Sequence, residues 1–409
     1  MLKKNLRNQL ERIYINNPSK ICNLFKGRSP GKNNDLVFLI PPTDGGSLGD
    51  EAMIVASLSE LSNTGKKVKI LSGDKELSSR LSKYGISPDV IYVRGLYNGF
   101  LPLLKYVSLI KKYKPNSVYL IGADVMDGFY SEYRSISRLG LLDVASSYVD
   151  DVRLLGFSFN EEPRKSIVRY MKLLHENVKL QPRDPVSAKR LTDRTIKNRL
   201  VSDLAFSLCN DKEFFINKTP ASEWMDKNKY ICVNLNAIHR QKYGEAFSDI
   251  VESLVKEINY KTNFHIVFVS HDFRKFDNLT DLEYAKLIAE KIGLDEGKDY
   301  TLIDQDLTAS NLKYLASKSE FTLTGRMHFA IGALGNSVPV IMFGYQGKQE
   351  GLAQHFQFSS KDIVIEPTSS VDDSLIKLNL FIENLDDNKE KVKSRVSIVK
   401  ELSRSNMQI

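Results

Sequence analysis

Arg326 and His328 stand two residues apart where an apolar strand, Phe321–Leu323, turns through Thr324 and Gly325 into a helix of small residues. A second apolar run, Val338–Phe343, leads into a polar turn that carries Tyr345 and Lys348. In a parallel α/β sheet, side chains just past the carboxyl ends of strands face one shared crevice, so two neighbouring strand-to-helix turns can converge on one ligand. A guanidinium fork, an ammonium and a positive helix start together suit a small molecule bearing phosphate and carboxylate. The imidazole titrates near neutrality and suits proton transfer. Each residue also has a plainer reading: Arg326 could pair with a neighbouring carboxylate, and Lys348 could be a solvated lysine at a helix start.

Other strand ends add candidates. Gly45, Gly46, Gly49 and Asp50 follow the first expected strand, where glycines allow close backbone approach and the next helix start favours an anion. The spacing is not GxGxxG, which speaks against a dinucleotide. Asp50 and Glu51 could equally be a helix cap and its first-turn charge. Asp124 and Asp127, in IGADVMDG, and His271, in HD after the run Phe264–Val269, occupy comparable places. Arg183 is a further anion-binding candidate, or a hinge held by the adjoining Asp184-Pro185. No Ser-His-Asp elbow, P-loop or HExxH occurs, which leaves hydrolase, kinase and metalloprotease readings without support. Cys22, Cys209 and Cys232 are odd in number and lack metal-ligand spacing, so structural thiols are expected and no metal site.

The elements that must carry these residues alternate. Apolar runs at Val37–Ile40, Val68–Leu71, Val90–Val93, Val118–Ile121, Arg153–Phe157 and Val178–Leu180 are separated by helical periodicity. A second series follows: Tyr230–Leu235, Phe264–Val269, Tyr300–Ile303, Phe321–Leu323, Val338–Phe343 and Ile363–Ile365. A βα repeat implies a mostly parallel sheet covered on both faces. With 409 residues the chain is too long for one ordinary core. The expected class is α/β, with two Rossmann-like, doubly wound domains facing a cleft. Expected boundaries are a basic segment over 1–34, a first domain over 35–215, a second over 216–378 and a helical tail over 379–409.

The net charge of +8 is concentrated at the start. Up to Asn34 there are eight basic side chains against Glu11 alone. Leu2, Leu6, Leu10 and Ile13 recur there at helical spacing, so a basic amphipathic helix is expected, either as a peripheral contact with an anionic membrane or packed on the folded body. No nucleic-acid motif accompanies the basic residues, and nucleic acid is not expected as a partner. Neither an apolar signal core nor a run of membrane-spanning length is present, so the expected location is cytoplasmic, or peripheral on the inner face of the membrane.

Four motifs in order resemble the polysaccharide pyruvyl transferase family: GGSLGDEAM over Gly45–Met53, QPRDPVSAKRL over Gln181–Leu191, SDLAF over Ser202–Phe206, and GRMHFAIGALGNSVPVIMFGYQGKQEG over Gly325–Gly351. The resemblance spans residues 35–360 and implies a GT-B-like arrangement. It implies transfer of the enolpyruvyl unit of phosphoenolpyruvate onto a sugar of a surface polysaccharide or its lipid-linked precursor, leaving a pyruvate ketal. Phosphoenolpyruvate is then the donor substrate, and no cofactor is expected. Arg326 and His328 become the catalytic pair, with the histidine acting on the enol or on the leaving phosphate. Arg183, Arg326, Tyr345 and Lys348 become donor ligands; Gly46, Asp50, Glu51, Asp124, Asp127 and His271 are left for the glycan acceptor. Ala123-Asp124-Val125 departs from the glycine-richer run of the family. A nucleotide-sugar glycosyltransferase of GT-B fold and a non-catalytic glycan-binding scaffold are the alternative readings.

Overall fold

The computed structural model describes residues 2–28, 31, 33–43, 47–213, 228–272, 274–344 and 347–408. Two compact units emerge. The first comprises Met1–Gly46, Met53–Leu204 and Leu402–Ile409; the second comprises Ser47–Ala52 and Ala205–Glu401. The stretch expected as a separate tail is therefore divided, most of it belonging to the second unit and its last residues to the first. Arg153, with a fully buried side chain, secures that return within the first unit. Its guanidinium donates to both oxygens of Asp151 and to the carbonyls of Asn406 and Gln408.

The first unit holds β1 (Asn33–Ile40), β2 (Lys67–Ser72), β3 (Val90–Tyr92), β4 (Pro115–Ala123), β5 (Asp151–Phe157) and β6 (Val178–Pro182). They form one sheet in the order β3-β2-β1-β4-β5-β6, every described pairing parallel. The second unit holds β7 (Tyr230–Asn234), β8 (His265–Val269), β9 (Tyr300–Ile303), β10 (Thr322–Thr324), β11 (Val340–Phe343) and β12 (Val364–Ile365). Their order, β12-β11-β10-β7-β8-β9, repeats the same winding, again parallel. Each unit is thus a Rossmann-like doubly wound sheet, and all twelve expected strands form. Their continuous apolar runs follow from burial on both faces, since β7 and β8 are buried at every position.

This winding gives each sheet a point where the chain reverses direction across the sheet, between β1 and β4 in the first unit and between β7 and β10 in the second. Ligands of such sheets sit outside the carboxyl ends of the strands at this point. The segments that follow β1, β4 and β10 carry Ser47–Glu51, Asp124–Asp127 and Arg326–His328.

The basic segment forms the helix Leu2–Asn16, followed by Pro18–Asn23. Tyr14 is fully buried, its hydroxyl 3.8 Å from the Cys22 thiol and its ring edge-on to Phe100 and Tyr133. A Cβ at Gly140 would lie 2.3 Å from the Tyr14 hydroxyl, so only glycine permits this approach. Lys26 pairs with the buried Asp143 at 2.8 Å. The segment packs on the first unit, but not through Leu10 and Ile13 of the expected stripe, which are 40% and 53% exposed; the side chains of Leu2 and Leu6 lie outside the described ones.

Candidate functional site

The reversal point of the second sheet is built by three turns. After β7, Asn236 accepts from the Ile238 N–H and donates to the Gly325 carbonyl at 3.1 Å. A Cβ at Gly325 would lie 2.7 Å from the Asn236 Cβ, which explains the glycine. After β10, the Thr324 hydroxyl donates to Asn234 and accepts from the Arg326 N–H at 3.0 Å. These bonds hold Arg326 extended immediately before the helix Met327–Leu334.

The Arg326 guanidinium is then directed into the protein. Its Nε and Nη2 donate to the two oxygens of Asp281 at 2.9 and 2.8 Å, and its Nη1 donates to Asp272 at 3.0 Å. Asp281 opens the helix Asp281–Lys291, is fully buried and also accepts from the Ala237 N–H. Asp272, after β8, accepts in addition from Arg274. Burial works against the charge on Asp272, but the hydrogen bonds from Arg274 and the charges of Arg326 and Arg274 outweigh it and hold its carboxyl below the usual range. Two arginines and two aspartates make a locally neutral cluster. The expectation that Arg326 offers its fork to a donor anion is therefore revised: three of its five N–H donors serve carboxylates, and its net pull on an anion is largely cancelled.

His328 follows on the first turn of Met327–Leu334. Its ring lies against the backbone of Gly49, where a Cβ would fall 2.2 Å from Nδ1 and 2.4 Å from Cγ. Gly49 belongs to Ser47–Ala52, the part of the helix Leu48–Asn63 that groups with the second unit. The imidazole therefore lies beside the first turns of two helices, the ends that carry a partial positive charge. That helix starts three residues earlier than its apolar run suggests. Asp50 is accordingly not the cap; it accepts from the Ser47 N–H at 3.3 Å from inside the first turn. Glu51 beside it is 5% exposed.

His271 is brought to the same place. It is buried, stacks edge-on with Phe329 at 5.9 Å and lines, with His328, Ala52 and Lys313, a cavity of about 10 Å³, room for about one water molecule. Burial, then the neighbouring His328 and Arg326, push its pKa down to about 3. It is a neutral imidazole at physiological pH. Lys313 is 3% exposed and donates to the carbonyls of Ala205, Phe206 and Leu208 at 3.2, 3.1 and 2.6 Å, fixing the chain that leaves SDLAF.

The remaining candidates separate. Lys348 opens the helix Lys348–His355 after Gly347, whose φ of 69° is left-handed. Because β11 pairs with β10 in parallel, its turn is the neighbour of the Arg326 turn, as the spacing suggests. Glu366 joins it, packed where a Cβ at Gly344 would approach its carboxylate to 2.5 Å. Tyr345, Gly45 and Gly46 lie outside the described residues. Arg183 is in the first unit, 4% exposed, and is held by Asp203 at 2.7 Å and Ser158, while Asp184 instead caps the helix Pro185–Thr192. Its guanidinium is structural, and its partner is not the expected Asp184. Asp127 is 2% exposed and closes its own turn by accepting from the Phe129 N–H. Asp124 is half-buried and accepts from the Tyr130 hydroxyl at 3.2 Å, after Ala123, which takes a left-handed φ of 47°. This is the backbone shape that the family's glycines would accommodate without strain.

Asp281 and Lys313 are parts of the site that carry no candidate role in the sequence, and the ties of Asp272 to Arg326 and of Gly49 to His328 are not legible there either. Asp281 follows Thr280 in a capping box and reads as ordinary first-turn charge. Lys313 had one usable signal, a lysine set among Leu312, Leu315 and Ala316 on an apolar helix face.

The family profile described as polysaccharide pyruvyl transferase matches residues 48–347, which include the His328 helix, the Asp281 and Asp272 clamp and Gly49. The chain belongs to the polysaccharide pyruvyl transferase family. No curated protein matches it. Among solved structures it is similar to a glycosyltransferase from Rickettsia africae ESF-5, with 14% identity, 92% of this chain and 99% of that chain covered and a TM-score of 0.57. It is similar to UDP-GlcNAc 2-epimerase from Neisseria meningitidis bound to UDP-GlcNAc, at 15% identity, 91% and 98% coverage and a TM-score of 0.58. A third likeness is to S. aureus MnaA with UDP, at 12% identity, 90% and 94% coverage and a TM-score of 0.60. At these identities the likeness is one of fold. The family is one of transferases in polysaccharide biosynthesis.

Two predictions follow from the site geometry. Gly49→Ala should drive the His328 ring from its place and lower turnover by about 10²-fold, as misplacement by about 1 Å does elsewhere; steady-state rates would check it, and wild-type turnover would mean that the ring's position is immaterial. His271 and the fully buried His239, whose ring lies beside Gly325, are each pushed down to about 3 chiefly by burial and take up protons on unfolding below about pH 6.5. The unfolded state then holds more protons than the folded one from about pH 6.5 downward, so stability falls as pH falls. Each imidazole should contribute about 1.4 kcal/mol per pH unit below pH 6. Urea unfolding at pH 7, 6 and 5 should show this slope, reduced by one proton in His239→Leu; a flat profile would contradict it.

Proposed function

We propose that the chain moves the enolpyruvyl group of phosphoenolpyruvate onto a sugar of a surface polysaccharide or its lipid-linked precursor, as a pyruvate ketal. The observation that carries this reading is the His328 imidazole held beside the first turns of two helices, inside the segment matched by the family profile. Backbone N–H groups and helix dipoles suit the dianionic phosphate as it departs. Lys348 on the adjacent turn supplies a full positive charge for the donor. Arg326, neutralised by Asp281 and Asp272, acts as the group that orients the start of the His328 helix.

Two sugar hydroxyls add to C2 of the donor. One hydroxyl proton is balanced by protonation of the C3 methylene and the other by the departing phosphate, so ketal and inorganic phosphate are the products. His328 carries a proton in this exchange, while His271 remains neutral and able to donate or accept one hydrogen bond. Asp50, Glu51, Asp124 and His271 remain the acceptor-side candidates. The reaction needs no redox cofactor, and the enzyme works in the cytoplasm, where phosphoenolpyruvate is supplied.

Purified protein, phosphoenolpyruvate and a lipid-linked glycan fraction should release phosphate and yield a glycan with an acid-labile ketal by mass spectrometry. His328→Ala should slow this by about 10²- to 10⁴-fold. Titration heat from a nucleotide sugar with none from phosphoenolpyruvate would overturn the reading in favour of a glycosyltransferase.

A further inference from the structure

Within the first unit, the helix Leu2–Asn16 is attached by one face and apolar on another. Tyr14 is buried and Ile15 half-buried, whereas Leu10 and Ile13 point away from the unit at 40% and 53% exposure. Leu10 and Ile13, three residues apart, share one side of the helix and form this exposed apolar patch.

The stripe is not isolated. The Tyr14 ring meets Phe100 at 5.8 Å and Tyr133 at 6.1 Å, so the turn bearing Leu10 and Ile13 adjoins two segments at the carboxyl edge of the first sheet. Those segments expose large apolar side chains of their own: Leu101 at 66%, Leu104 at 65%, Phe129 at 57% and Tyr130 at 51%. Fully wetting so many large side chains on one edge is costly, at roughly 25 cal/mol for each Å² of apolar area.

Charge identifies what covers it. The residues up to Asn34 carry eight basic side chains against Glu11. Arg12, Lys105 and Arg134, on the same three segments, are exposed. An apolar stripe edged with cations complements an anionic lipid surface, which takes the stripe at the acyl boundary and the cations among its headgroups. Among the described residues no helix is long and apolar enough to cross a membrane. We infer that this edge of the first unit docks flat on an anionic membrane, with the outer face of the helix Leu2–Asn16 as its anchor. Docking there would bring the enzyme to lipid-linked acceptors, a consequence that rests on the proposed reaction; the docking itself does not.

The test is co-sedimentation of the full chain with vesicles of phosphatidylcholine alone and of phosphatidylcholine with phosphatidylglycerol. Binding is expected only to the anionic vesicles, falling as salt is raised. Leu10→Asp/Ile13→Asp should reduce it more than tenfold with unchanged thermal stability, and Arg12→Glu should reduce it several-fold, since each basic residue contributes about fivefold. Absence of binding to anionic vesicles, or equal binding by the double variant, would overturn the inference. So would a wild-type dimer in solution that the double variant dissociates, which would assign the face to a second copy. Vesicle binding is read without turnover, so a failure here is distinct from a failure of the pyruvyl transfer reading.

Discussion

The bridge from the Arg326 guanidinium to Asp281 and Asp272 is the constraint on which the second unit's site depends. It ties the turn after β10 to the turn after β8 and to the start of the helix Asp281–Lys291, which itself receives the Ala237 N–H from the turn after β7. Three strand ends are thereby fixed relative to one another, and the helix that begins at Met327 takes its starting point from them. The buried Asp281 and Asp272 left without the arginine would cost several kcal/mol, so the cluster stands or falls as a unit. Its neutrality matters as much as its rigidity. The cluster directs the backbone and the imidazole, and under the proposed reaction it does so without competing for the donor anion assigned to the helix starts and Lys348.

The sequence made the architecture readable because a parallel sheet buried on both faces leaves mostly apolar runs, clearest at β7 and β8 and still legible where Lys69 and Lys179 interrupt β2 and β6. The turns that carry the candidates were legible as polar, glycine-bearing segments after particular runs, whereas their place at the reversal points required the strand order. What was not readable depended on partners distant in the chain. Arg326 finds its carboxylates 45 and 54 residues upstream, and Arg183 finds Asp203 rather than the adjacent Asp184. Nothing in local spacing separates an arginine that binds a ligand from one that binds the fold. The first helix illustrates the converse: its apolar stripe is legible, yet Tyr14 and Ile15, off that stripe, make the attachment because an aromatic ring reaches the space left by Gly140.

Two imidazoles, His271 and His328, line one small cavity in different surroundings. His271 is kept neutral by burial and by the charge beside it, whereas His328 lies on a helix start against Gly49. In the proposed reaction the buried His271 serves as a fixed hydrogen-bonding partner. The same fold carries very different chemistry in the similar solved structures, so the reaction has to be argued from these side chains and not from the sheets.

The most direct test of the orienting role assigned to Arg326 is the split between kcat and KM for phosphoenolpyruvate in Arg326→Lys. Lysine keeps the positive charge but cannot span Asp281 and Asp272 with a planar fork. The account predicts a large fall in kcat with KM for phosphoenolpyruvate little changed. A raised KM with kcat preserved would show that the guanidinium grips the donor, and would contradict it.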